Sequence, residues 1–178
     1  MNAIIREVQN GCLKDICKIK SVFSNRRDAP GLNIARKQGI KIKVIDSSET
    51  KKKEYNRSLL DYLEKQNPDY IVLAGYMKIL PPSIVAAFPR RIINIHPADT
   101  AKHQGLHGYE WAYEKGLMET KITVHFVDDG LDTGDVIAKR KVDLRNAKSV
   151  EDVEESGLQV EHHFYSECLE KLFRGKLE

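Results

Sequence analysis

The sequence predicts an α/β fold: a doubly wound, mostly parallel sheet with helices on both faces, in a single domain over residues 1–178. Three observations carry that expectation. Short apolar runs alternate with amphipathic helical stretches along most of the chain, the rhythm of strand-helix-strand units. The run Tyr70-Ile71-Val72-Leu73-Ala74 is continuously apolar and ends at Gly75, the pattern of a parallel strand covered on both faces. A length of 178 residues, 41% of them apolar, suffices for one core without disulfide or metal staples.

Taken in order, residues 3–8 carry apolar side chains at helical spacing and Asn10-Gly11 supplies a stop, so the chain opens inside a helix. Residues 19–24 read as a short strand. A helix is expected over 29–38, with Asp28 as N-cap, Pro30 in the first turn and Gly39 past its end. Residues 41–45 alternate like a strand, and 51–66 form a polar-faced helix with Tyr55, Leu59, Leu60 and Leu63 on its inner side, stopped by Asn67-Pro68. After the strand at 70–74 come a short helix over 83–88 and a second buried strand over 91–95. Residues 97–107 have no period. A helix over 108–116 leads to strands over 121–127 and 136–144, with a turn at Thr133-Gly134. From Ser149 a final helix places Val150, Val153, Gly157, Val160, Phe164, Cys168 and Leu172 at steps of three and four. The sheet is thus parallel at first and mixed toward its end. Ligands bind such sheets beyond the carboxyl ends of the strands, which directs attention to the residues just after Ala74, Ile95 and Val127.

Charge and cysteine content narrow the function classes. With 29 basic and 26 acidic residues the net charge is +3, which offers no electrostatic argument for a nucleic-acid partner. No run approaches the roughly 18 apolar residues of a membrane helix. The first residues lack the apolar core of a signal peptide. Cys12, Cys17 and Cys168 fit neither a redox pair nor a zinc ribbon and read as free thiols of a reducing compartment. A cytoplasmic protein with no metal, nucleic-acid or membrane partner is expected.

Two segments suit acid-base or oxyanion chemistry. Asn94 and His96 stand two apart at the end of a strand, so both side chains point to one side, and an amide beside an imidazole suits a developing oxyanion. The same residues also read as a plain strand end halted by Pro97. Asp128-Asp129-Gly130-Leu131-Asp132-Thr133-Gly134 follows the strand that carries His125; a carboxylate there is placed to hold a histidine ring, while the alternative is an ordinary acidic surface turn. Gly75-Tyr76-Met77-Lys78-Ile79-Leu80 lines a pocket for a flat apolar ligand with a polar tail, or else Met77, Ile79 and Leu80 belong to the core. Lys51-Lys52-Lys53 reads as a solvated helix start that sits poorly with the helix dipole, which leaves room for an anion.

Asn94-Ile95-His96-Pro97, Gly105-Leu106-His107-Gly108 and Thr123-Val124-His125-Phe126-Val127 followed by Asp132 together resemble the phosphoribosylglycinamide formyltransferase family. Val22-Phe23-Ser24-Asn25, Gly31-Leu32 and Val72-Leu73-Ala74-Gly75-Tyr76-Met77 extend the resemblance over nearly the whole chain. It implies a formyltransferase-like fold and direct transfer of a formyl group from 10-formyltetrahydrofolate, as co-substrate, to the amine of glycinamide ribonucleotide. The implied catalytic set is Asn94, His96 and Asp132. The folate is implied to lie along Met77, Lys78, Ile79, Leu80 and Val85, with its pterin against Val127, Asp128, Asp129, Gly130 and Leu131. Lys52 is implied to approach the substrate phosphate and Glu161 the ribose hydroxyls, in a monomer or homodimer.

The chain departs from the family pattern at several points. Lysines at 52 and 78 stand where arginine is usual, and Ala98-Asp99-Thr100-Ala101 replaces the commoner Ser-Leu-Leu-Pro. Family members begin with a strand and a phosphate-binding loop that the first residues here do not match. In a doubly wound sheet that strand is central, so its absence costs a ladder on both sides. Either the coding sequence starts further upstream, leaving an ordinary enzyme, or the chain is short and weak, inactive or only folate-binding. Methionyl-tRNA formyltransferase and formyltetrahydrofolate hydrolase share the Asn, His and Asp set but normally carry further domains.

Overall fold

The structure, a computed structural model, describes residues 1–176. In chain order the elements are α1 (Asn2–Asn10), β1 (Val22–Ser24), α2 (Pro30–Lys37), β2 (Ile42–Val44), α3 (Lys52–Gln66), β3 (Ile71–Val72), α4 (Pro82–Ala87), β4 (Ile92–His96), α5 (Gly108–Glu114), β5 (Glu119–Phe126), β6 (Val136–Asp143) and α6 (Val150–Phe173). None of the described helices is long and apolar enough to cross a membrane.

The strands form two sheets. β1 pairs with β2 in parallel, Val22 opposite Ile42. The other sheet runs β3-β4-β5-β6, with β3 and β4 parallel and the β4-β5 and β5-β6 pairs antiparallel. The parallel-then-mixed order follows from the connections: helical crossovers precede β2 and β4, whereas β5 reaches β6 through a short loop that permits only reversal. Alternation of side chains across the larger sheet separates two apolar clusters. Ile93, Ile122, Val124 and Val142 pack with α5 and α6 on one face, and Ile92 joins Leu59 of α3 and Ile84 of α4 on the other. The helices therefore cover both faces, as the sequence predicts.

Two local expectations are corrected. Asp28 does not cap α2; Ala29 occupies the N-cap position without a side-chain bond, and the Asp28 carboxylate instead takes two N–H groups of Arg26 at 3.0 and 2.7 Å. A bidentate ion pair to a neighbour outcompetes the weaker cap. The strand expected over 70–74 is two residues long and half-buried, not buried on both faces. It pairs only with β4, because on its other side a cavity of about 1150 Å³ stands between it and β1.

The closing helix is the best-specified element. Ser149 accepts the Asp152 N–H at 3.2 Å while the Asp152 carboxylate accepts the Ser149 N–H at 3.1 Å, a capping box that fixes where α6 begins. Gly157 then lets α6 approach α5 closely: a Cβ there would lie 2.2 Å from the Tyr109 ring. Tyr165, buried in α6, donates within hydrogen-bond distance of the carbonyls of Leu73 and Ile93, at 2.9 and 3.0 Å, and so locks the helix to β3 and β4. Cys12, Cys17 and Cys168 are all free, and burial pushes the Cys168 thiol up to about 12.

Candidate active site

The carboxyl end of β4 presents Asn94 and His96 on one side, and the antiparallel register sets Asn94 opposite His125 of β5. The loop between β5 and β6 closes on itself: Asp128 Oδ1 accepts the Gly130 N–H at 3.0 Å and the Thr133 hydroxyl at 2.7 Å. That closure, with Asp132 at a left-handed φ of 53°, leaves the Asp132 carboxylate facing the strands. Its Oδ2 lies 3.3 Å from His96 Nδ1 and its Oδ1 3.4 Å from His125 Nε2. Asn94 Nδ2 stands 3.4 Å from both Asp132 Oδ1 and His125 Nε2. The acidic loop thus divides between both of its readings. Asp128 builds a turn, and Asp132 serves the histidines.

The unpatterned segment 97–107 adds two backbone groups. The Gly105 N–H donates to Asp132 Oδ2 at 2.9 Å, and the His103 carbonyl accepts from His96 Nε2 at 3.1 Å. Asp99 anchors this segment: it takes both Lys121 and Lys139 ammonium groups and the Ala101 N–H, while Thr123 donates to the Ala98 carbonyl at 2.7 Å. Burial would raise the Asp99 carboxyl, yet the two lysines hold it down at about 2.

These partners dictate where protons reside. A carbonyl only accepts, so His96 carries hydrogen on Nε2, and the carboxylate facing Nδ1 favours a second; the imidazolium satisfies every neighbour. Burial nonetheless pulls the His96 pKa below its ordinary value, against the Asp132 charge and the His103 carbonyl. His125 donates from Nδ1 to the Phe126 carbonyl at 2.8 Å, which leaves Nε2 to accept from Asn94 when neutral or to pair with Asp132 when charged. For Asp132, burial is outweighed by the His125 hydrogen bond, the Gly105 N–H and the histidine charges, so its carboxyl lies at about 2 and it is a carboxylate at neutral pH.

Among the residues singled out from sequence, Asn94, His96 and Asp132 come together in this cluster. Val85, Val127, Asp128 and Asp129 line a depression of about 330 Å³ with Arg90 and Phe126. Met77 and Ile79 are 74% and 75% exposed and are not core, whereas Leu80 is buried beside Ile84. The Lys78 ammonium lies over the Tyr55 ring at 5.5 Å from its centroid. Gly130 and Leu131 are exposed, the latter against Gly105. Lys52 is exposed on the first turn of α3, with no ion-pair partner among the described residues. Glu161 is half-buried on α6 and accepts the Tyr109 hydroxyl, and burial raises its pKa.

The candidate set chosen from sequence omitted His125 and the His103 and Gly105 backbone. The signal for His125 was available in the pairing of two strands that each end in histidine chemistry. The loop groups left none, because backbone atoms carry no residue signature. Among the described residues no group of three His, Cys, Asp or Glu side chains is arranged to hold a metal ion.

Comparison with known proteins identifies the family. A formyl transferase family model matches residues 1–169. The phosphoribosylglycinamide formyltransferase of Escherichia coli (strain K12) is 35% identical over 190 residues, spanning 100% of this chain and 90% of the relative. A formyltetrahydrofolate deformylase from the same organism is 32% identical over 138 residues, which cover 78% of this chain but 49% of that protein. Among solved structures, phosphoribosylglycinamide formyltransferase from Brucella melitensis superposes with a TM-score of 0.89 at 31% identity, covering 97% of this chain and 88% of that one. The chain belongs to the formyl transferase family.

Proposed function

We propose that this chain, as a single cytoplasmic domain, transfers a formyl group from 10-formyltetrahydrofolate to the amine of glycinamide ribonucleotide. The observation that carries this reading is the Asp132 carboxylate held between His96 and His125, with Asn94 alongside, at the carboxyl end of β4. The phosphoribosylglycinamide formyltransferase relative, matched along the whole chain, supports it.

The substrate amine attacks the formyl carbon and the carbonyl pair moves onto oxygen. Asn94 Nδ2 and His96 Nε2 donate to that oxyanion. In the free site burial holds the imidazole pKa down, and the developing negative charge raises it, so the stabilisation grows toward the transition state. His96 Nε2 must leave the His103 carbonyl to do this, and the 97–107 segment shifts accordingly. Asp132 holds the imidazolium and takes the amine proton through water, and collapse expels the folate nitrogen, which is protonated in turn. Exposed Met77, Ile79 and Leu131 offer apolar contact to a flat ring; Leu80, Val85, Val127, Asp128, Asp129 and Gly130 are the other folate contacts of this reading, and Lys78 pairs with the acidic tail. Lys52 approaches the phosphate. Glu161, with Oε1 taken by Tyr109, offers Oε2 to the ribose hydroxyls.

The purified chain, given both substrates, is expected to produce formylated ribonucleotide. Formate release without an acceptor makes the protein a hydrolase instead, and folate binding by calorimetry without turnover makes it a binding-only relative.

A further inference from the structure

A row of side chains crosses the larger sheet beside the catalytic cluster. The register sets His96 of β4 opposite Thr123 of β5, and Thr123 opposite Lys139 of β6, so the three stand on one face, with Lys121 two residues back along β5. The neighbours of His96 in this row grip the chain just after it. Thr123 donates to the Ala98 carbonyl at 2.7 Å, Lys121 Nζ donates to Asp99 Oδ2 at 3.0 Å, and Lys139 Nζ donates to Asp99 Oδ1. The Asp99 side chain is 9% exposed, against 36% and 27% for Lys121 and Lys139, so the carboxylate is the buried member and the lysines reach in from the surface. One carboxylate thus holds together two cations that otherwise repel.

Asp99 also opens the turn that leads to His103. Its Oδ1 accepts the Ala101 N–H at 3.2 Å, and its own carbonyl accepts the Lys102 and His103 N–H groups at 2.8 and 3.0 Å. Beyond this turn the segment is held by single contacts. The His103 ring stacks on Trp111 with centroids 4.9 Å apart, its Nε2 meets the Leu106 carbonyl, and the Gly105 N–H reaches Asp132.

We propose that Asp99 is a positioning residue of the formyl transfer assigned to this chain, a reading on which the inference rests. By pinning the chain just after His96 to β5 and β6, it confines the shift that frees His96 Nε2 to residues beyond Ala101. The strand end that carries the imidazole then stays where Asp132 holds it. Such pinning matters because a misplacement of about 1 Å in a catalytic group costs up to about 100-fold in rate.

Asp99→Asn removes the charge but keeps an acceptor for the Ala101 N–H, and both lysines can swing into water, so the variant folds. In the intact 178-residue chain it is expected to keep the circular dichroism spectrum, to lose about 10- to 100-fold in kcat and to leave both KM values within about twofold. Lys139→Met leaves Lys121 to neutralise Asp99 and gives a smaller loss of the same kind, which serves should Asp99→Asn be unstable. Added to Asp99→Asn it costs nothing further, because the ion pair is already broken. Trp111, the only tryptophan, reports on its His103 stack without turnover, and acrylamide quenches its fluorescence more readily in Asp99→Asn than in the wild type. An unchanged kcat, a loss confined to KM, an unchanged Trp111 or fully multiplying losses in the double variant overturns this inference alone. A wild-type chain that transfers no formyl group overturns the functional reading and this inference with it.

Discussion

The carboxyl-terminal part of the molecule and its amino-terminal part share one strand-and-helix rhythm, yet they are completed to different degrees. From β4 to β6 each interior edge is paired, Ile93, Ile122 and Val124 are fully buried, and α6 is capped and locked by Tyr165. Across the molecule, β1 and β2 stand apart from β3 over a cavity of about 1150 Å³ walled by half-buried side chains. The candidate catalytic cluster draws only on the completed part: the β4-β5 register sets Asn94 against His125, and the β5-β6 loop brings in Asp132. Chemistry can thus be assembled where the sheet is whole while the fold is open elsewhere.

Perturbing the cluster has the largest effect. Asn94→Ala and Asp132→Asn each lower turnover by about 10² to 10³ or more with the fold intact, the usual loss for one oxyanion-stabilising group; near-normal turnover in steady-state assays overturns the assignment. Asp132→Asn also tests linkage. The Asp132 carboxyl is depressed to about 2, so its contribution to stability is present above its unfolded value, about 3.9, and is lost as pH falls toward 2. Acid titrations of unfolding should be flatter over that window in the variant.

The two parts are compared directly by truncating one isoleucine in each. Ile122→Ala, in the closed core, costs about 2–5 kcal/mol in urea denaturation. Ile4→Ala, on the cavity wall, costs clearly less, because the space beside it is already unfilled. Next in size, Gly157→Ala forces a methyl into the Tyr109 ring and costs about 1–3 kcal/mol. Smallest is the contrast between helix starts: Ser149→Ala breaks the capping box and costs about 1 kcal/mol, whereas Asp28→Ala, which removes no cap, leaves the melting midpoint unchanged.

The helices and most strands were legible from periodicity, because burial on one face imposes its period on the chain. Asn94 and His96 were legible because a two-residue step in a strand puts both on one side. The length of β3 was not. Its apolar run reads as fully covered, and whether a covering neighbour lies beside each edge is not written in the run itself.

By itself, then, the sequence determined the fold class, the order of elements and the residue types able to stabilise an oxyanion, since these follow from local pattern and side-chain chemistry. Only the tertiary structure decided that Asp132 reaches His125 as well as His96, and that the His103 carbonyl and Gly105 N–H complete the cluster. The physical reason is the same in each case: these depend on where distant backbone lies, and distance along the chain says nothing of distance through space.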